Sequence, residues 1–452
     1  MKHLCYEGSA FLRQRLLLST LTGQPVRISQ IRAAPGGLAM PGLRPYEASL
    51  LRLLCKVTAG TRVHIDATGT VLTYVPGQLL GSDEDNPDSL VHVCHPGRGL
   101  SYYLDVLLLL APFCKNPLSI SLSGVTDGSE FDPPVDLTRS VTVPTLHRLL
   151  SLVANRGVGA AGGGAPPLSF ELKLIRRGFP PAGGGEVSLR CSGVLSGPLQ
   201  PFTLVETGRI KRVRGVAFAE NVNPLLARRC INRIRHVFNA FLPDVWVYLD
   251  VKKKGAPEAH AREKRANTEK RRGVGVTLVA ETISGNFKGA FACEHSQEAD
   301  DSKRKEANEG ATEAADVYRA TGNCKLARLL EQEARENTEE HSGVLGEGTE
   351  KLGQSEQMGE HVAHRLLLEI MQGGVVDTNH QYVALLFAAA AEEHQPSKLR
   401  LSRLTPYTTQ FLRHLRDFLG VTFHFEETDA ETTEVLLKCV GVGLRNTARK
   451  TF

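Results

Sequence analysis

Apolar runs of helix length and of strand length alternate over the first 150 residues, and few folds accommodate that alternation. Across 11–21, Leu12, Leu16 and Leu17 share one helical face, and Gly23 with Pro25 ends the run. Residues 26–32 form a short β-rich run, and 46–56 repeat the helical pattern. Residues 63–65 and 71–75, joined through Thr68-Gly69, read as a hairpin. Residues 100–113 are apolar enough for a buried helix but shorter than the roughly 20 residues of a membrane span. A strand pattern follows at 119–125. Helices interleaved with strands in this way imply an α+β or α/β layered fold.

Residues 157–167 (GVGAAGGGAPP) read as a flexible loop, and strand 170–175 runs into RRGFPPAGGGEV at 176–187. Between about 204 and 293 the order changes. Strand 210–218, helix 224–242 and strands 245–251, 274–280 and 287–291 suggest a small domain of their own. Helical periodicity returns at 362–371, 378–391 and 408–419, with strands at 421–425 and 435–442, so the N-terminal grouping recurs at the C-terminal end. The expected division is 1–203, 204–293, 294–360 and 361–452.

The formal charge of +5 conceals a division. Residues 251–272 carry nine basic and three acidic side chains, whereas 294–360 carry eight basic and seventeen acidic ones, which leaves +8 on the rest. The basic run lies between two strands, where a longer loop costs little. It resembles a nuclear-targeting or RNA-contacting arm. The acidic segment, rich in Glu and poor in β-branched and aromatic residues, is expected to be disordered and dispensable for folding. Nine scattered cysteines without a CxxC pair argue against a disulfide framework. Arg13 and Arg15 interrupt the first apolar run, which is unlike a signal peptide, so an intracellular soluble protein without a membrane partner is expected.

Several residues are candidates for chemistry. In the turn at 176–187, three consecutive glycines suit either an anion held by backbone N–H groups or a bulge linking two strands, and Arg176 and Arg177 stand beside it. His92, Cys94 and His95 crowd four residues without a closing ligand, so no metal is expected. Asp132, Asp136 and Asp377 would suit a metal-assisted nuclease if they converged, and otherwise read as turn caps. Arg32, Arg44, Arg212, Arg214, Arg228, Arg229 and Arg235 are candidate contacts to RNA or to an acidic partner. Arg228 and Arg235 stand seven apart, hence on one helical face.

The turn also carries a resemblance. Its RGFPPAGGGE (177–186) resembles the glycine-rich signature of the RNA 3′-terminal phosphate cyclase family. Three further blocks resemble that family: LLLSTLTGQ (16–24) with Ile31-Arg32-Ala33 and Pro41-Gly42-Leu43, residues 99–118, and Asp132–Asp136 as DPPVD. Gly373-Gly374-Val375-Val376-Asp377 extends the likeness over nearly the whole chain outside the charged runs. The resemblance implies a large domain of repeated βαβαββ units, each a small sheet backed by two helices, with a smaller α/β domain inserted at about 204–293.

Two departures bear on activity. The family's GEGGGQ-like stretch is here Glu7-Gly8-Ser9-Ala10-Phe11-Leu12-Arg13-Gln14. Its His-x-x-Thr-Asn-like loop corresponds to 401–409 (LSRLTPYTT), which has no histidine; His394 and His414 flank it. A nucleotidyl-histidine intermediate needs an imidazole. The resemblance therefore implies the cyclase-like branch, without cyclase activity and without a cofactor. That branch acts in the nucleolus in small-subunit rRNA processing and 40S assembly, as a processome component that binds a nucleolar GTPase. A pre-rRNA endonuclease and a residual ATP-dependent cyclase remain the alternatives.

Overall fold

The computed structural model describes residues 3–33, 41–82, 90–129, 131–154, 168–181, 183–195, 197–242, 244–251, 273–295, 353–427 and 434–446. The expectations for the loop at 157–167, the basic run 252–272 and residues 296–352 of the acidic segment lie outside these.

Three units share one topology. The first contains β1 (Leu4–Glu7), α1 (Leu12–Thr22), β2 (Val26–Ser29), α2 (Pro45–Val57), a short β3 (Thr58–Ala59), β4 (Arg62–Ile65) and β5 (Leu72–Val75). β6 (Gln78–Leu79) pairs with β3 beside it. The second contains β7 (Leu90–Val93), α3 (Leu100–Leu110), β8 (Leu118–Gly124), α4 (Val135–Leu137) continuing through a π-turn (Thr138–Thr142) into α5 (Val143–Val153), β9 (Phe170–Arg176) and β10 (Gly185–Cys191). In both, the first two strands run parallel and need a crossover helix, while the last two form an antiparallel pair. The orders are β1-β2-β5-β4 and β7-β8-β10-β9.

The third unit repeats this pattern with an interruption. β11 (Thr203–Leu204) pairs parallel to a strand nearly two hundred residues on, at Ser397–Leu401. The intervening chain makes a fourth sheet from β12 (Ile210–Glu220), β13 (Val245–Asp250), β14 (Gly273–Thr282) and β15 (Phe287–His295), ordered β13-β12-β14-β15. It also makes α6 (Pro224–Phe238) and α7 (Gln354–Met371). Then α8 (Gln381–Ala390), β16 (Ser397–Leu401), α9 (Pro406–Leu419), β17 (Phe423–Glu427) and β18 (Val435–Cys439) complete the unit in the order β11-β16-β18-β17. The fold is therefore a mixed α+β fold of three βαβαββ units with an inserted fourth sheet, the arrangement that the resemblance implies.

One apolar core runs through all three units. Its central helices are buried all round: every residue of α8, and all of α3 except Asp105. Burial of the six leucines of α3 contributes on the order of 10 kcal/mol, at about 1.5–3 kcal/mol each. That explains the apolar run at 100–113: it is a core helix. Among the described residues, no helix is long and apolar enough to cross a membrane, and every cysteine is a free thiol.

The fourth sheet has its own core. Val213, Ala217, Val247 and Leu278 of its strands meet Cys230, Ile234 and Phe238 of α6 and Met358, Val362 and Leu366 of α7. The expected boundary at 361 therefore falls inside α7, whose apolar stripe covers the inserted sheet. On the opposite face, among the described residues, Leu137 and Val141 cover the β14–β15 half by packing on Val279, Phe287 and Phe291, and Phe179 and Arg177 cover Phe218 at the end of β12. Lys288 of β15 is buried, and its ammonium donates to the carbonyls of Glu369 and Gly373 at the end of α7.

Candidate functional site

The glycine-rich turn links β9 to β10, with a bulge at Glu186/Val187. A Cβ on Gly178 would lie 2.1 Å from the Gly185 nitrogen and 2.7 Å from the Gly124 oxygen, so only glycine permits the strands to approach. The Gly178 N–H donates to Thr126 Oγ1 at 2.9 Å and the Gly183 N–H to the Phe179 carbonyl at 2.8 Å. Both amides thus bond within the protein, as the strand-linking reading of the turn requires.

Arg177 does not face solvent. Only 4% of its side chain is exposed, and its nitrogens lie 3.2 Å from Asp127, 2.7 Å from Asp136 and 3.1 Å from Asp250. The guanidinium stacks on Phe218, 4.0 Å from the ring centroid. Burial opposes its charge, but Asp127 and Asp136 outweigh that and raise its pKa. Asp127, fully enclosed, is pushed up to about 6 by burial even beside this cation. The expected RNA contact at Arg177 is thus corrected: the residue bridges the second unit to β12 and β13. Deleting one partner of such a buried pair typically costs about 3–5 kcal/mol, because the other charge stays behind. Arg176, half-exposed and 4.0 Å from Glu186, keeps an outward position.

The three candidate carboxylates close on different partners: Asp132 and Asp136 on arginines, Asp377 on the imidazole of His380. Asp132 makes two 2.7 Å bonds to Arg98 and accepts the Gly99 N–H. Asp136 pairs with Arg139 as well as Arg177. Asp377 accepts from His380 Nδ1 at 2.5 Å, and His380 Nε2 lies 2.6 Å from Thr142 Oγ1. Burial alone would lower the His380 pKa, yet Asp377, with Asp105 and Glu369, raises it. This Thr–His–Asp chain has the order of a nucleophile, base and orienting acid. All three side chains are buried, however, so its geometry ties α8 to the second unit and reaches no substrate. Sequence spacing gives no sign of it, because Thr142 and His380 are 238 positions apart.

His92 is held by Ser49 at 3.0 Å, and burial lowers its pKa to about 4. Burial raises the Cys94 thiol, and His95 Nδ1 accepts its neighbour's Gly97 N–H. Among the described residues, no group of three or more His, Cys, Asp and Glu side chains is arranged to hold a metal ion.

The candidate arginines divide by exposure. Arg32 is clamped to Glu47 by two 2.9 Å bonds, while Arg44, partly buried, donates its backbone N–H to the same carboxylate. Arg212 pairs with Glu281 and Arg214 with Asp244, both partly exposed. Arg228, Arg229 and Arg235 lie exposed on α6, which carries no acidic residue, and none has an ion pair among the described residues.

The two departures from the family pattern meet in space at the α1–α9 junction. Arg13 pairs with Asp105 at 3.1 Å and donates to the Tyr407 hydroxyl at 3.2 Å. Gln14 donates to the Tyr407 carbonyl at 3.0 Å. Gln381 donates to Ser402 Oγ and the Arg403 carbonyl and accepts from Thr408 Oγ1, pinning the loop before α9 to α8. Thr405 caps α9 by accepting the Thr408 N–H. His414 is buried with two donors, Arg15 Nε and Gln410 Nε2, facing its Nε2 at 3.4 and 3.2 Å. Its proton therefore sits on Nδ1 and goes to Gln14 Oε1 at 2.9 Å. Burial, then Arg15 and Arg413, lower its pKa to about 3. Both imidazole nitrogens are engaged. His394, the other flanking histidine, is exposed on the turn before β16.

A family model described as RNA 3′-terminal phosphate cyclase matches residues 4–425. The chain is 37% identical over 451 residues to the RNA 3′-terminal phosphate cyclase-like proteins of Bos taurus and Homo sapiens, covering 99% of this chain and 97% of each relative. It is 30% identical over 446 residues to the rRNA processing protein rcl1 of Schizosaccharomyces pombe, covering 98% of this chain and 97% of that protein. The repeated units, the turn and the matched length agree: the chain belongs to the RNA 3′-terminal phosphate cyclase family.

Proposed function

We propose that this protein is a non-catalytic, cyclase-like factor in processing of small-subunit pre-rRNA on the way to the 40S subunit. It works in the nucleolus within the processome, where it holds a nucleolar GTPase and pre-rRNA in one assembly. The observation that carries the reading is the α1–α9 junction, where Thr405 caps a helix and the buried neutral His414 has both nitrogens engaged. A nucleotidyl-histidine has no free imidazole to form on there. Similarity to an rRNA processing protein supports the substrate class. Hydrolysis by the chain itself finds no support in Asp132, Asp136 and Asp377, which are held apart on different partners, Arg98, Arg177 with Arg139, and His380.

RNA is held electrostatically in this reading, by Arg228, Arg229 and Arg235 of α6 and by the nine basic residues of 252–272. Depleting the protein from cells should leave unprocessed small-subunit precursors and lower 18S rRNA, and the tagged protein should co-purify with a nucleolar GTPase. Unchanged 18S rRNA on depletion would refute the role. Radioactive ATP should leave no acid-labile label on the purified protein; such a label, marking a phosphoramidate, would restore the cyclase.

A further inference from the structure

Among the described residues, the β12–β13 half of the inserted sheet leaves part of its face open, up to Phe218 and Asp250, where Arg177 covers it. Strand alternation places Arg212, Arg214 and Val216 of β12 on it, and the parallel register sets Trp246 opposite Arg214 and Tyr248 opposite Val216. The same face is covered at β14 and β15 by Leu137 and Val141. Trp246 and Tyr248 are 52% and 58% exposed, with ring centroids 6.0 Å apart. Arg214 is held beside them by two bonds to Asp244, at 2.8 and 3.1 Å. Lys211 and Arg212 extend the basic margin, both turned toward the single carboxylate of Glu281. Two residues beyond Asp250, the end of β13, the nine-cation run 252–272 begins.

Two neighbouring aromatic faces beside fixed guanidinium groups suit unpaired bases: the rings stack on bases, and the cations follow the phosphates. A double helix keeps its bases stacked internally and offers such rings little. An acidic peptide would use the cations and leave the rings idle. We infer that the β12–β13 face is a platform for single-stranded RNA, with Trp246 and Tyr248 stacking two bases. The inference rests on the pre-rRNA role proposed above and names the form of RNA that this surface takes.

Trp246 is the sole tryptophan of the chain, so its fluorescence reports this face directly. Titrating the full-length protein with 12-nucleotide oligo(A) and oligo(U) should quench it, whereas a 12-base-pair RNA duplex should not. Tyr248→Ala should weaken oligonucleotide binding, read by anisotropy of a labelled strand, roughly tenfold. Trp246→Phe should bind within about threefold of the parent, since a ring remains. Circular dichroism and the melting temperature check that each variant is folded. Anisotropy showing RNA bound with no quenching would overturn the platform while leaving the pre-rRNA role intact. Equal loss of duplex and single-strand binding in Tyr248→Ala would overturn it too. Quenching by a synthetic peptide of residues 296–352, with none by RNA, would assign the face to the chain's own acidic segment instead.

Discussion

His414 takes its chemistry from Gln14, Arg15 and Gln410, which reach it from two helices nearly 400 residues apart. In the unfolded chain an imidazole takes up a proton near pH 6.5, whereas in the folded chain this one stays neutral until about 3. The unfolded state thus binds the extra proton throughout that window. His414 therefore contributes stability that is fully present above pH 6.5 and is lost as pH falls, at up to about 1.4 kcal/mol per pH unit. His92, lowered to about 4, acts in the same direction. Urea unfolding at pH 7 and pH 5 should show a smaller loss for His414→Gln than for the parent protein. Equal losses would mean that the imidazole is not buried neutral. At this scale residue types were legible and their states were not. Arg176 and Arg177 are adjacent and alike in sequence, yet one points outward and the other is enclosed by three carboxylates.

At the scale of elements, α6 and α7 touch through a small residue. A Cβ on Gly359 would come 2.6 Å from the Cys230 carbonyl oxygen and 3.1 Å from its Cα, both backbone atoms that cannot give way. Alanine in a helix interior gains up to about 1 kcal/mol over glycine, but overpacking typically costs about 1–3 kcal/mol. Gly359→Ala should therefore destabilise the protein by about 1–2 kcal/mol in urea unfolding; a stabilised variant would show that the helices separate freely. Most long elements follow from periodicity, among them α2, α3, β12 and α9. β1, β7 and β11 did not, being two to four residues long; β2, β4 and β5 are as short, but are legible beside Gly23-Pro25 and within a hairpin through Thr68-Gly69. The polar first half of α7 reads as a continuation of the acidic run. Only Met358, Val362, Ala363 and Leu366 mark its buried stripe, and they count once the inserted sheet is there to receive them. The Trp246–Tyr248 face is likewise half legible: VWVYLD alternates, but which set meets solvent depends on which face α6 and α7 cover.

For the whole molecule, the third unit closes across the entire insertion, because β11 and β16 pair although residues 205–396 lie between them. Long loops add closure entropy only logarithmically, so shortening this connection should be tolerated wherever no core residue is lost. Replacing 296–352 by a short Gly-Ser linker is predicted to leave the melting temperature within a few degrees. Extending the deletion to 360 removes Ser355, Met358 and Gly359 from the inserted core, and should cost several degrees more. Equal melting temperatures for the two deletions would show that α7 adds nothing to that core.

Sequence alone determined the class of fold, the three charge regions and the absence of a histidine at 401–409, since periodicity, composition and residue identity are local properties. Tertiary structure decided which charges are available. Arg177 and Asp377 became internal struts, whereas Arg228, Trp246 and Tyr248 face outward. Exposure and pairing depend on which distant strands and helices close over a residue, and no local pattern encodes that.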